Sequence, residues 1–116
     1  MSKYYIEKSE DNFEKLNTKD KNKLLKWIKE NFIPIKSTNY KCGTSYGLKH
    51  LIQYQEGLYV TNEQFKKAML LCGFKPGNPY NRNWNFNISQ KSKAFIGGKK
   101  NARNKTNLQQ ITTTIL

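Results

Sequence analysis

The side chains of this sequence that could carry chemistry are mostly cations and amides rather than nucleophiles or proton-transfer groups. His50 is the single histidine, and the two cysteines, Cys42 and Cys72, lack the spacing of a zinc site. The acids are too thinly spread to hold Mg²⁺, and the sequence has no GxxxxGK phosphate-binding motif. We therefore expect a protein that is not an enzyme, has no catalytic residues and uses no metal or cofactor.

Charge is distributed unevenly along the chain. Its 116 residues include 21 Lys/Arg and 8 Asp/Glu, which gives a formal net charge of +13. Every Asp and Glu lies within residues 1–63, so all charged side chains within residues 74–116 are basic. A small protein with this charge repels itself, and its pattern predicts a polyanionic partner. The middle and the C-terminal part of the chain should form the binding surface.

Length and composition predict one folded domain with polar ends. We expect an N-terminal extension over residues 1–16, a domain over residues 17–96 and a basic, flexible tail over residues 97–116. No apolar run approaches the roughly 20 residues that cross a membrane, and the charged N-terminus is unlike a secretory signal. These features predict a cytoplasmic protein without a membrane partner.

Three helices are expected in the domain. Asn17 is suited to cap the first, and Pro34 should end it. The second should begin at Thr44 or Ser45 and end near Gly57.

The third helix has the most clearly specified ends. Thr61 and Gln64 match a capping box, and Gly73 suits a left-handed C-terminal cap onto which Phe74 folds back. Apolar residues at helical spacing predict one core-facing side. They are Phe65, Ala68, Met69 and Cys72.

A strand is predicted after the helices. Trp84, Phe86 and Ile88 alternate with asparagines, which is the period of a half-buried strand, and a turn-rich stretch at residues 76–82 precedes it. The order of elements is that of a winged helix-turn-helix, an α+β fold of three helices and a small β-hairpin wing.

Two surfaces of such a fold would face duplex DNA. The outer side of the third helix would present Asn62, Lys66 and Lys67, since Asn pairs with adenine and Lys reaches guanine or a phosphate. The second surface, the wing tip, would present Asn78, Tyr80, Asn81, Arg82 and Asn83. The ordinary alternatives are that the helix lysines are solvated and that the tip residues merely form a turn.

Two further groups are candidates for phosphate contacts. The N-terminus of the second helix, at Thr44 and Ser45, could hold a phosphate, with Lys41 and Lys49 beside it. The tail would follow the nucleic-acid backbone without reading its sequence, unless it serves solubility alone. Its cations include Lys99, Lys100 and Arg103.

Four motifs carry a family resemblance: Ser45-Tyr46-x-Leu48-Lys49-His50, Tyr59-Val60-Thr61-Asn62-x-x-Phe65-x-x-Ala68-Met69, Gly73-Phe74 and Asn83-Trp84-x-Phe86-Asn87. Their spacing resembles that of small winged-helix DNA-binding proteins of Gram-positive mobile elements, including relaxosome accessory proteins that bind the transfer origin of clostridial conjugative plasmids. The resemblance covers roughly residues 45–89. It implies a homodimer on short direct repeats that contacts DNA largely through the wing, which here corresponds to residues 76–83.

The leading hypothesis is a sequence-preferring double-stranded DNA-binding protein of a plasmid or phage that marks an origin of transfer or regulates a promoter by occupancy. Its partners would be duplex DNA, a second copy of the chain and other relaxosome or phage proteins. A second hypothesis is a phage-encoded inhibitor of a host nuclease, of the anti-CRISPR type, which binds protein or guide RNA. RNA binding is a third, although the predicted strand shows no exposed aromatic pair for stacking bases.

Overall fold

The computed structural model of the protein describes residues 13–96, in which helices are the main regular structure. Short 3-10 turns lie at Phe13–Lys15 and Tyr40–Cys42, and residues 93–96 are helical. Within this part of the chain, no helix has the length and apolar character needed to span a membrane. The three expected helices are confirmed as α1 (Thr18–Asn31), α2 (Ser45–Glu56) and α3 (Asn62–Leu71).

The helices begin at the caps that the sequence predicts. Oδ1 of Asn17 accepts a hydrogen bond from the amide of Asp20 at 2.8 Å. At the start of α3, Gln64 donates its amide to the hydroxyl of Thr61 at 3.1 Å, and the Gln64 side chain accepts from the Thr61 amide at 2.9 Å. These bonds satisfy amides that a helix N-terminus otherwise leaves without partners. Both caps are confirmed.

Gly73 ends α3 because its φ of 92° lies in the left-handed region that only glycine adopts without strain. The amide of Gly73 donates to the Leu70 carbonyl, and the amide of Phe74 donates to the Met69 carbonyl, both at 3.0 Å. This pair of bonds is the Schellman pattern. The predicted left-handed cap is confirmed, and the ring of Phe74 is buried.

α3 is the central helix of the core, packed against both α1 and α2. Lys67 and Leu71 are exposed on it. The expectation of an outer α3 face free for a major groove is wrong, because neighbouring elements cover most of the helix. Its buried residues are Glu63, Gln64, Phe65, Lys66, Ala68 and Met69.

The expected β-hairpin wing is not found. Residues 13–96 contain no β-strand, so the winged helix-turn-helix prediction is wrong. Two isolated antiparallel bridges occur instead, between Pro34 and Ile88 and between Pro76 and Phe86. The Ser89 amide donates to the Ile33 carbonyl and the Ile35 amide to the Asn87 carbonyl, on either side of the bridge at Pro34. Beside the bridge at Pro76, the Lys75 amide donates to the Asn87 side chain instead of a backbone carbonyl, so the pairing does not continue as a regular ladder.

Asparagine side chains anchor the extended segment at residues 84–88 to the segments on either side. Nδ2 of Asn87 donates to the Ile35 carbonyl, and its Oδ1 accepts from the Lys75 amide, both at 2.8 Å. Asn85 donates to the carbonyl of Gly43 at 2.9 Å. The apolar side of the predicted alternation does lie in the core, where each residue is fully buried. It consists of Trp84, Phe86 and Ile88.

Lys66, which forms a buried ion pair within α3, also connects the helix to the start of this segment. The side chain of Lys66 is fully buried, and its ammonium lies 3.3 Å from Oε1 of Glu63. The same ammonium donates to the Arg82 carbonyl at 2.7 Å and lies 4.4 Å from the ring centroid of Trp84. Burying a charge costs several kcal/mol unless partners of this kind surround it. Lys66 therefore has a structural role.

Replacing Lys66 by Met should destabilise the fold by about 3–5 kcal/mol, because the carboxylate of Glu63 would remain buried without its cation. Lys67→Met, at the adjacent exposed position, is the matched control and should change stability by less than about 0.5 kcal/mol. Urea unfolding followed by tryptophan fluorescence measures both values. Adding Glu63→Gln to Lys66→Met should recover part of the loss, and equal effects of the two single lysine variants would contradict the buried pair.

Candidate nucleic-acid interface

A cleft of about 590 Å³ opens where α2, the start of α3 and the loop at residues 82–83 meet. α2 contributes one face to it, because positions 49 and 50 lie one helical turn after position 46. The cleft thus brings together parts of the chain that are far apart in sequence. Its lining residues are Tyr46, Lys49, His50, Tyr59, Thr61, Asn62, Glu63, Arg82 and Asn83.

Two exposed tyrosines form the aromatic part of this cleft. Tyr46 is 55% exposed and Tyr59 is 61% exposed. The Tyr46 ring meets the ring of His50 edge to face, with centroids 5.0 Å apart. Such a contact favours one ring orientation, so Tyr46 is held in position although it is exposed.

The ammonium of Lys49 lies close to both tyrosines. It is 5.4 Å from the ring centroid of Tyr46 and 4.7 Å from that of Tyr59. The residue as a whole is only 5% exposed, and burial lowers the pKa of Lys49 below its ordinary value of 10.5. Contact with the ring faces offsets part of the cost of burying this charge.

α3 fixes the backbone of the loop that forms the opposite rim. The ammonium of Lys66 and Nδ2 of Asn62 both donate to the Arg82 carbonyl, at 2.7 and 3.3 Å. Nδ2 of Asn62 also donates to Oδ1 of Asn83 at 2.9 Å. These bonds determine where the Arg82 side chain leaves the loop. Asn62, which was expected to read a base, positions this loop.

The cleft has a positive balance of charge. Among the described residues that line it, Glu63 carries the one carboxylate, and the ammonium of Lys66 pairs with it. Lys49 and Arg82 therefore set the sign of the field in the cleft. A concave surface lined by one sign of charge concentrates ions of the other sign. The geometry suits an anionic ligand that carries aromatic groups.

Metal and thiol chemistry have little structural basis in residues 13–96. No group of three or more His, Cys, Asp or Glu side chains there is arranged to hold a metal ion. Burial raises the pKa of the thiols of Cys42 and Cys72, which keeps them in the less nucleophilic protonated form.

At the N-terminus of α2, where a phosphate site is expected, the polar groups of Ser45 are bonded within the protein, which corrects its assignment as a phosphate contact. The Ser45 amide donates to the Trp84 carbonyl at 2.7 Å, and the Ser45 hydroxyl accepts from the Trp84 amide at 3.0 Å. Ser45 is fully buried as a result. Thr44 precedes the helix without a side-chain cap bond, and Lys41 is exposed in the neighbouring 3-10 turn.

The residues expected at a wing tip form a closed turn. Oδ1 of Asn78 accepts from the Tyr80 amide, and the Asn78 carbonyl accepts from the Asn81 amide, both at 3.1 Å. In this turn an asparagine side chain accepts a stabilising bond, as is usual in turns. It corresponds to the alternative in which these residues form a turn and not a DNA-contacting wing tip. Tyr80 and Asn81 stay exposed, outside the residues that line the cleft.

The remaining predicted contacts divide into four groups. Lys49, Asn62, Arg82 and Asn83 meet in the cleft, whereas Lys67 is exposed on α3. Lys66 is buried, which corrects its assignment to an outer face, because its ammonium is enclosed by the protein. The tail cations Lys99, Lys100 and Arg103 lie outside the described residues.

The aromatic lining is the part of the site that the sequence-based prediction missed. Tyr46 and His50 are four residues apart on the polar side of α2, and this spacing could have indicated a shared surface. Tyr59 lies in a short extended segment after Gly57, where no periodicity connects it to α2.

No protein-family model, curated protein or solved structure matches this chain. The resemblance to mobile-element proteins therefore stays a prediction. Any proposal about function has to rest on the cleft and on the charge of the chain.

The pKa of Lys49 should be measurable as a ¹³Cε chemical-shift titration with a midpoint below 10.5, since burial penalises the ammonium. Between the folded midpoint and 10.5 the unfolded chain binds more protons at this site, so the contribution of Lys49 to stability rises with pH there. Tyr59→Ala, which admits water, should move the midpoint back towards 10.5. A midpoint at or above 10.5 in the unmodified protein would contradict the buried placement.

Proposed function

We propose that this protein binds nucleic acid and acts by occupancy, without catalysing a reaction. The observation that carries the proposal is the cleft in which the cations of Lys49 and Arg82 lie beside the exposed rings of Tyr46 and Tyr59. Cationic side chains release counterions from phosphates when they bind, which supplies affinity. Tyrosine rings stack on bases, which adds contacts that a simple polyanion cannot make.

The overall charge of the chain supports the same proposal. The formal net charge is +13, and no Asp or Glu follows residue 63. A strongly positive protein attracts nucleic acid over the distance set by ionic screening and associates with it rapidly. The carboxylate nearest the cleft, on Glu63, is paired internally and so opposes this attraction little.

The structure changes how such a protein could contact its target. A wing and the outer face of α3 do not contact the grooves of DNA in this proposal, because residues 76–83 form a loop and α3 is mostly buried. The cleft replaces both as the proposed contact surface. The setting on a plasmid or phage, and a homodimeric state, stay predictions.

An inhibitor of a host nuclease, the second hypothesis, would use the same positive surface for a different partner. An inhibitor that covers a protein surface does not need affinity for a purified oligonucleotide, whereas a nucleic-acid-binding protein does. Direct binding to oligonucleotides at several salt concentrations therefore separates the two hypotheses.

Arg82→Gln should weaken nucleic-acid binding and reduce the slope of log K against log salt concentration by about 0.7–0.9, the contribution of one phosphate contact. Its carbonyl, which accepts from Lys66 and Asn62, is unaffected by the substitution. Fluorescence anisotropy with a labelled oligonucleotide over a salt series gives the slope.

The matched control is Lys29→Gln, which removes one charge from the exposed side of α1, away from the cleft. We expect it to retain the slope of the unmodified protein. Equal losses in the two variants would show that net charge alone governs binding, and would contradict the cleft as the contact surface.

A further inference from the structure

We infer that the cleft holds an unpaired nucleotide, and that the target of this protein is single-stranded nucleic acid. The inference rests on the proposed function and names its substrate class. The ligand chemistry is a planar base linked to phosphates, which single-stranded DNA and single-stranded RNA share.

The exposure of the two tyrosines is the first basis for this inference. The nearly buried ammonium of Lys49 lies near one face of each ring, at 5.4 Å from the Tyr46 centroid and 4.7 Å from the Tyr59 centroid. Since the residues are 55% and 61% exposed, much of each side chain stays accessible although the ammonium lies beside it. This accessible aromatic surface can take a planar partner.

The second basis is the difference between paired and unpaired bases. In a duplex each base is stacked between its neighbours and presents only its edge in a groove, so its face cannot reach a tyrosine. An unpaired base presents its face, and stacking on aromatic side chains is the common mode of single-strand binding. Exposed tyrosine rings that line a cleft therefore favour an unpaired base over a duplex.

The size and polarity of the cleft fit one nucleotide. Its volume of about 590 Å³ lies within the roughly 300–1,000 Å³ typical of small-ligand sites. Lys49 and Arg82 line the cleft and give it a positive charge that attracts the phosphates of a nucleotide. His50 and Asn83 are exposed in the same lining and offer hydrogen-bonding groups to a base edge or a sugar.

Contacts within the protein hold parts of the cleft in place before a ligand enters. The edge-to-face contact with His50 holds Tyr46, and the loop that carries Arg82 is bonded to α3 by Lys66 and Asn62. A site whose side chains are held in place before binding loses less conformational entropy when a ligand enters.

The test compares four ligands of equal length with the full chain: single-stranded DNA, single-stranded RNA, duplex DNA, and an abasic DNA strand that keeps the phosphates but lacks bases. We expect both base-containing single strands to bind more tightly than the duplex and the abasic strand. A 2-aminopurine placed in the single strand should lose fluorescence on binding, because stacking quenches it. The DNA and RNA arms show which of the two sources the protein prefers.

Tyr46→Leu and Tyr59→Leu should each weaken binding of the base-containing strand by roughly 5- to 150-fold, the range for one stacked base. Neither change should alter binding of the abasic strand. Tyr59→Phe, which keeps the ring, should retain the affinity. The matched control is Tyr40→Leu, because Tyr40 is 67% exposed but does not line the cleft.

Two outcomes would overturn the inference, and they differ in what they say about the proposed function. If the duplex or the abasic strand binds as tightly as the base-containing strand and the tyrosine variants have no effect, stacking is excluded while nucleic-acid binding stands. If none of the four ligands binds, both the inference and the proposed function fail.

Discussion

The buried ammonium of Lys66 connects α3 to the segment at residues 82–84, with which the helix shares no regular structure. It pairs with Glu63 one turn away, donates to the Arg82 carbonyl and lies over the ring of Trp84. Removing a charge from water is expensive, so the chain is stable only when all these partners are in place. That requirement fixes the loop at residues 82–83 against the start of α3, and it pairs the carboxylate that would otherwise repel an anion in the cleft.

The position of α3 determines which surfaces are free for binding. A helix packed against both α1 and α2 has little surface left to offer, so the proposed binding surface is the cleft between the exposed side of α2 and the loop at residues 82–83. There the tyrosines and Lys49 form a cleft that suits a ligand with both planar and anionic parts. The proposed mode of binding thus follows from how the core is assembled.

The sequence correctly predicts structural features that depend on neighbouring residues. It does not predict features that depend on contacts between residues far apart in the chain. Caps at Asn17, Thr61 and Gly73 use local bonds, so all three are confirmed. The burial of Lys66 depends on Trp84, eighteen residues later, and helix periodicity cannot reveal it. The alternation that ends at Ile88 correctly indicates a buried side, yet the segment pairs with its neighbours only through two isolated bridges, because the Lys75 amide donates to the Asn87 side chain and not to a backbone carbonyl. Tyr46 and Tyr59 line the same cleft although α2 ends between them, at the left-handed cap Gly57.

The asparagine anchors on the extended segment have a consequence for the environment in which this protein would work. Counterions crowd around a polyanion, and they weaken attraction between exposed charges. The amides of Asn85 and Asn87 are uncharged, so the bonds that they donate to Gly43 and Ile35 change little with ionic strength or with pH. Together with the Lys66 contacts, which are shielded from solvent, they would keep the scaffold of the cleft intact under salt conditions that release its ligand.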